Sequence, residues 1–208
     1  MVFGNFMKIF DEIKIQFPPY LTEESKKELF AELEEYPNNL NRIYTSITEE
    51  GYVFQGDGIR NLPVINLPET KIENSPVLIL SNTCDTEPSN KRDISPRLIY
   101  SPIRRLSNYA RYLASKSVKA EKINQHFDLI RKQEITNKLY LPQGAGLDEE
   151  CVVLLDYINN CDVSVLPVDK VDDSRIFSLS TYGFYILLIK ISIHFTRLRE
   201  DVNRRYIE

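Results

Sequence analysis

The sequence predicts an α+β domain built around a small antiparallel sheet or barrel. Three observations carry this. The apolar pattern runs helix, strands, long helix, strands, helix, without the strand–helix alternation of a parallel sheet. The strand candidates are short and bounded by turn residues. One of them, Pro76-Val-Leu-Ile-Leu-Ser81, sets four aliphatic residues in a row between polar neighbours, as a strand buried on both faces requires. The chain has 208 residues, 42% apolar and 27% charged, with a net charge of -4. That is ordinary globular composition and excludes disordered, collagen-like and disulfide-scaffold classes. It also argues against a surface that binds nucleic acid everywhere.

Taken in order, the opening segment MVFGNFMKIFDEIKIQF lacks a basic region followed by an apolar one, so no secretory signal is expected. Thr22 to Glu35 reads as a helix. Thr22 caps it, Glu23 and Glu24 sit where the helix dipole favours anions, and Leu29, Phe30 and Leu33 share a face. Residues 1–50 are therefore expected to form an acidic helical extension, and 51–208 the sheet domain. Within that domain, Gly56-Asp57-Gly58 is a turn, Pro76 to Ser81 a strand, and Arg97 to Tyr100 a second strand antiparallel to it.

About 104–134 reads as a helical insertion, since Leu106, Tyr109, Ala110, Leu113, Ile123, Phe127 and Ile130 recur at three and four. Leu139 to Leu141 and Cys151 to Leu155 are strands, and Val163 to Val168 and Arg175 to Leu179 weaker ones. Ser180 caps a last helix from about Tyr182 to Arg199. Its apolar stretch, Phe184 to Phe195, is interrupted by Lys190 and His194 and falls short of the roughly 20 residues a membrane span needs. No membrane association is expected.

Three cysteines, Cys84, Cys151 and Cys161, without a CxxC pair point to reduced thiols and a cytoplasmic protein. His126 and His194 have no ligand spacing to them, so neither a metal site nor a cofactor is expected. Sequence signatures of nucleotide-binding loops, zinc proteases and serine hydrolases are missing. Cys84 and Asp85 lie in the loop after the most apolar strand, where functional groups are often presented. Cys84 is either a nucleophile or a small packing residue. The triplet Asp148-Glu149-Glu150 either holds Mg²⁺ or faces water.

Charge is unevenly distributed. Residues 1–50 carry ten acidic and five basic side chains, whereas 91–122 carry nine basic and two acidic. With Tyr100, Tyr109 and Tyr112 interleaved, Lys91, Arg92, Arg97, Arg104, Arg105 and Arg111 are candidates for holding a phosphate backbone while bases stack. The same segment could instead meet an acidic protein surface.

Several short motifs have a further reading. Gln55-Gly56-Asp57, Pro76-Val-Leu-Ile-Leu-Ser-Asn82, Tyr100-Ser-Pro-Ile103, Val153-Leu-Leu-Asp156, and Asp173-Ser-Arg-Ile176 with Leu179-Ser180 together resemble the MazF/PemK-like toxin superfamily. The resemblance covers about residues 52–103 and 150–199. It implies an SH3-like antiparallel barrel and a place in a toxin–antitoxin or phage-defence system. Active members of that family are endoribonucleases using an arginine before the proline of the strand motif and a threonine or serine at the end of the next. Here Ser75 stands in the arginine position and Arg104 in the threonine position. The expected function is a divergent PemK-like domain that binds nucleic acid or a partner protein. The alternatives are an endoribonuclease with Cys84, Asp85 and Arg104 as rearranged catalytic groups, and a non-catalytic subunit of a larger assembly. A homodimer is left open.

Overall fold

The computed structural model describes residues 24, 27, 31, 35, 38–46, 51–87, 90, 93–166 and 171–196. The chain divides into two compact units, Met1–Leu40 and Asn41–Glu208. In the first, Glu24, Lys27 and Ala31 are helical and exposed. The expected cap Thr22 and apolar face Leu29, Phe30 and Leu33 lie outside the described residues.

The second unit is α+β. Its strands are β1 (Tyr44–Thr45), β2 (Gly58–Ile65), β3 (Ile72–Ile79), β4 (Arg97–Arg105), β5 (Lys138–Leu141), β6 (Cys151–Leu154), β7 (Asn159–Asp162) and β8 (Arg175–Leu179). The helices are α1 (Thr83–Thr86), α2 (Leu106–Ser115), α3 (Ala120–Arg131), α4 (Val171–Ser174) and α5 (Thr181–Thr196). All strand pairs are antiparallel, in the order β1-β8-β2-β3-β4-β6-β5, with β7 also on β4. The sheet is open: among the described residues no ladder joins β1 to β5. Its two ends nevertheless approach, because the Tyr44 hydroxyl donates to the Pro142 carbonyl at 2.7 Å, just beyond β5.

One core fills the face of β2, β3, β4 and β7, with Ile59, Val64, Val77, Ile79, Leu98 and Tyr100 at its centre. On β4 the even-numbered Leu98, Tyr100 and Pro102 face this core in turn, as the two-residue strand repeat requires. A second apolar layer is α5, which packs on β5 and β8 through Tyr185, Ile186 and Ile189. Ser180 caps it: its hydroxyl accepts from the Gly183 amide at 3.1 Å. Gly183 is required there, since a Cβ would overlap the Ile43 carbonyl oxygen. No helix among the described residues is long and apolar enough to cross a membrane.

The strands expected at Pro76, Arg97, Leu139, Cys151 and Arg175 are present, and the structure adds three. In β2, Pro63 and the left-handed Asn61 (φ 59°) break the alternation that marks a strand, and a register shift lies between Ile59 and Leu62. Strand β7 is mostly polar and pairs only because β4 lies beside it. Strand β1 is two residues long.

The helical insertion begins at Leu106, because Arg104 and Arg105 extend β4 opposite Val152 and Cys151. It divides after Ser115, where Ser117 takes φ 62° and turns the chain. Of the strand expected at Val163 to Val168, Val163–Val165 form a 3₁₀ turn instead, and Pro167 and Val168 lie outside the described residues. The Asp162 side chain caps the turn by accepting from the Ser164 amide at 2.9 Å.

Candidate functional site

The site lies where the core of β2–β4 opens along β4. Arg104 follows Leu98, Tyr100 and Pro102 on the same face of that strand, and Arg105 points to the opposite one. The β3–β4 register, Val77 with Pro102 and Ile79 with Tyr100, continues to set Ser75 opposite Arg104. There the Arg104 Nη1 donates to the Ser75 hydroxyl at 2.8 Å, and Ser75 is buried. The two positions where the sequence departs from the MazF/PemK-like pattern are thus in direct contact.

Arg104 lines a cleft of about 450 Å³. Its floor runs from Pro102 across Leu154 to Lys138, since Leu154 pairs with Lys138 and the β4–β6 register aligns Pro102 with Leu154. One wall is α2, with Asn108, Tyr109 and Tyr112; the other holds Asn66, Asp156 and Tyr157. Tyr112 and Tyr157 are exposed, and Tyr109 stacks between Tyr112 (ring centroids 6.5 Å, 13°) and Phe127 (6.0 Å, 10°).

The Tyr109 hydroxyl and His126 Nε2 share a hydrogen bond of 3.3 Å. Burial pushes the Tyr109 phenol up and pulls the His126 imidazole down, the latter with help from Lys138, so both are neutral at pH 7. Burial also lowers Lys138 against the pull of Asp156. Two cations, one carboxylate, three phenols and two amides line one cleft, and its cations, rings and amides can hold a phosphate, stack a base and hydrogen-bond its edge.

The remaining candidates do not join this cleft. Arg105 donates to Asp148 Oδ2 at 3.1 Å and lies 3.7 Å from Glu149. It borders a separate cavity of about 270 Å³ with Arg60, Asp148 and Cys151, whose thiol burial pushes up to about 11. Arg97 is seven residues from Arg104, roughly 23 Å along the strand, and donates to Asn160 at 2.5 Å. Arg111 is exposed on α2 and donates to Asn108. Lys91 and Arg92 lie outside the described residues.

Cys84 and Asp85 sit on α1, past the C-terminal end of β3, whereas Ser75 and Arg104 meet near its start. The three proposed catalytic groups therefore do not converge. Cys84 is exposed, so it is not a packing residue. Tyr100 is buried with its hydroxyl on the Pro63 carbonyl at 2.5 Å, which removes it from base stacking. The acidic triplet is engaged: Asp148 with Arg105, Glu149 with Ser107, and Glu150 with Arg131 at 2.7 Å and the Tyr140 hydroxyl at 2.6 Å.

Sequence reasoning missed Lys138. The one signal for it was a lysine opening the otherwise apolar strand Lys138-Leu-Tyr-Leu141. It also did not foresee how the Gly56-Asp57 turn is held. Asp57 is fully buried and accepts from the Phe54 amide (2.9 Å), Arg175 Nε (3.1 Å) and the Ser178 hydroxyl. Burial pushes its carboxyl up, and Ser178, Phe54 and Arg175 pull it back. This cluster ties the turn to β8 and is structural. No family model matches the chain, and no curated protein matches it in sequence.

Proposed function

We propose that the chain is a divergent MazF/PemK-like domain that binds single-stranded nucleic acid in the Arg104 cleft. The observation that carries this reading is the Arg104–Ser75 pair at the edge of a cleft lined by Tyr109, Tyr112 and Tyr157. The guanidinium takes a phosphate and the exposed rings take bases. The SH3-like barrel belongs to the same proposal. In favour of it, Tyr44 bonds across the open ends of the sheet, and the motifs around Asp57 and Arg175 meet as an ion pair at 3.1 Å.

The experiment is fluorescence anisotropy of the full chain with labelled single-stranded RNA at low and raised salt. Binding that weakens as salt rises, and about tenfold for Arg104→Ala, supports the reading. No binding at low salt overturns it.

A second reading, endoribonuclease activity, is favoured by the same contact. Hydroxyl and guanidinium are both present but have exchanged strands relative to the family pattern, so the pair that the resemblance calls for is conserved in kind. Incubation of single-stranded RNA with excess protein, with and without Mg²⁺, decides it. Cleavage lost in both Ser75→Ala and Arg104→Ala supports activity, and intact RNA dismisses it.

A further inference from the structure

We propose that Lys138 and Arg104 form a two-pronged site for one phosphate group, with Lys138 as its interior anchor. This deepens the reading above and rests on it for the identity of the ligand, a backbone phosphodiester. A lysine ammonium carries three donors. Lys138 is only 8% exposed, yet among the described residues its Nζ has one weak partner, Asn137 Oδ1 at 3.5 Å. Its other near contact is the Tyr109 ring, 5.7 Å from Nζ to the centroid. No carboxylate among the described residues lies within ion-pair distance; the nearby Asp156, whose Oδ2 accepts from the Asn137 amide at 2.7 Å, acts on Lys138 only from farther off.

A buried cation without a partner is costly, and the usual remedy is a counter-ion. Lys138 also adds to the downward pull on the neighbouring His126 and Lys190, so three basic groups lie close together there with Asp156 as the acid acting on Lys138. Arg104 approaches the same space from β4. It sits two residues from Pro102 on the same face, and Pro102 lies two strand spacings, roughly 10 Å, from Lys138. Among the described residues its one side-chain hydrogen bond is to Ser75, with Glu73 nearby but beyond ion-pair distance, which leaves guanidinium donors for a ligand. Two long side chains across that gap can close on one tetrahedral anion, while Tyr112 and Tyr157 at the mouth take what is attached to it.

The test uses the full chain and two probes, inorganic phosphate and a short single-stranded RNA without terminal phosphates. The expected result is that phosphate raises the melting temperature of the wild type more than chloride at equal ionic strength. Lys138→Met should abolish that gain and weaken RNA binding about tenfold, and Lys138→Arg should restore part of both. If Lys138→Met keeps both the phosphate gain and the RNA affinity, the anchor is refuted while the nucleic-acid reading stands. A Lys138-dependent phosphate gain without RNA binding keeps the anion site and refutes the nucleic-acid reading. If phosphate and chloride act alike on the wild type, the site is refuted. Should Lys138→Met not fold, Arg104→Ala decides: the phosphate gain must fall there too, and a full gain refutes the two-pronged site.

Discussion

Arg104 and Arg105 are consecutive residues of one strand with opposite circumstances. Arg105 faces the side where Asp148 and Glu149 neutralise it, and Arg104 faces a cleft where its side-chain partner is a serine. Arg175 makes a third case, 8% exposed by side chain and closed on Asp57 and Asp172. The three show that strand face and pairing decide whether a basic residue closes on acids or on a neutral hydroxyl. A count of charge along the segment does not distinguish them.

Substitutions can sharpen or break this comparison. The largest effect is expected at the buried pair: Asp57→Ala removes the buried acceptor shared by the Phe54 amide, Arg175 Nε and the Ser178 hydroxyl, and should cost about 3–5 kcal/mol in denaturant unfolding. Gly183→Ala should follow at about 1–3 kcal/mol, from overlap with the Ile43 carbonyl. Neither should alter RNA affinity at temperatures where the variant is folded.

Arg104→Ala should change stability little but loosen RNA about tenfold, about 1.4 kcal/mol, and lower the slope of log affinity against log salt by about 0.7. Arg105→Ala should be the smallest, about 0–1 kcal/mol of stability and no change in binding. If Arg105→Ala weakens RNA as much as Arg104→Ala does, the two-face argument fails.

A pH titration probes a different buried cation. Lys190 is 1% exposed and donates to the Gln133 carbonyl at 2.9 Å and to that of Ile135. Burial, reinforced by Lys138, lowers it to about 7. Between that value and its ordinary 10.5 the unfolded chain binds the extra proton. Stability from this group therefore rises with pH across the window and is flat below it. Urea melts from pH 7 to pH 10 should show that rise in the wild type and lose it in Lys190→Met.

Much of the fold was legible. The four-aliphatic run became β3, Ser180 capped α5, and the antiparallel pairing of the Pro76 and Arg97 strands followed from their length and linker. Illegible were the elements whose reasons lie elsewhere in the chain. The polar residues of β7 are a strand because β4 offers them a ladder, and Arg104 and Arg105 leave the helical pattern because β6 pairs with them. The site was half legible. Arg104, Tyr109 and Tyr112 were among the candidates, but so were Arg97 and Tyr100, which the strand carries away from the cleft or into the core.

The sequence by itself determined the composition of the site and the period of its elements. Apolar runs, turn residues and caps act over a few residues, so they can be read in order. Tertiary structure alone decided which charges close on an acid within ion-pair distance and which do not. Lys138 and Arg104 are 34 positions apart and share a cleft only because β6 lies between their strands. Asp148 and Glu150 close on Arg105 and Arg131, whereas Asp156 and Glu73 stay beyond ion-pair distance of Lys138 and Arg104. Register and face are settled by pairing between distant segments, and that pairing brings Arg104 and Lys138 into a single cleft.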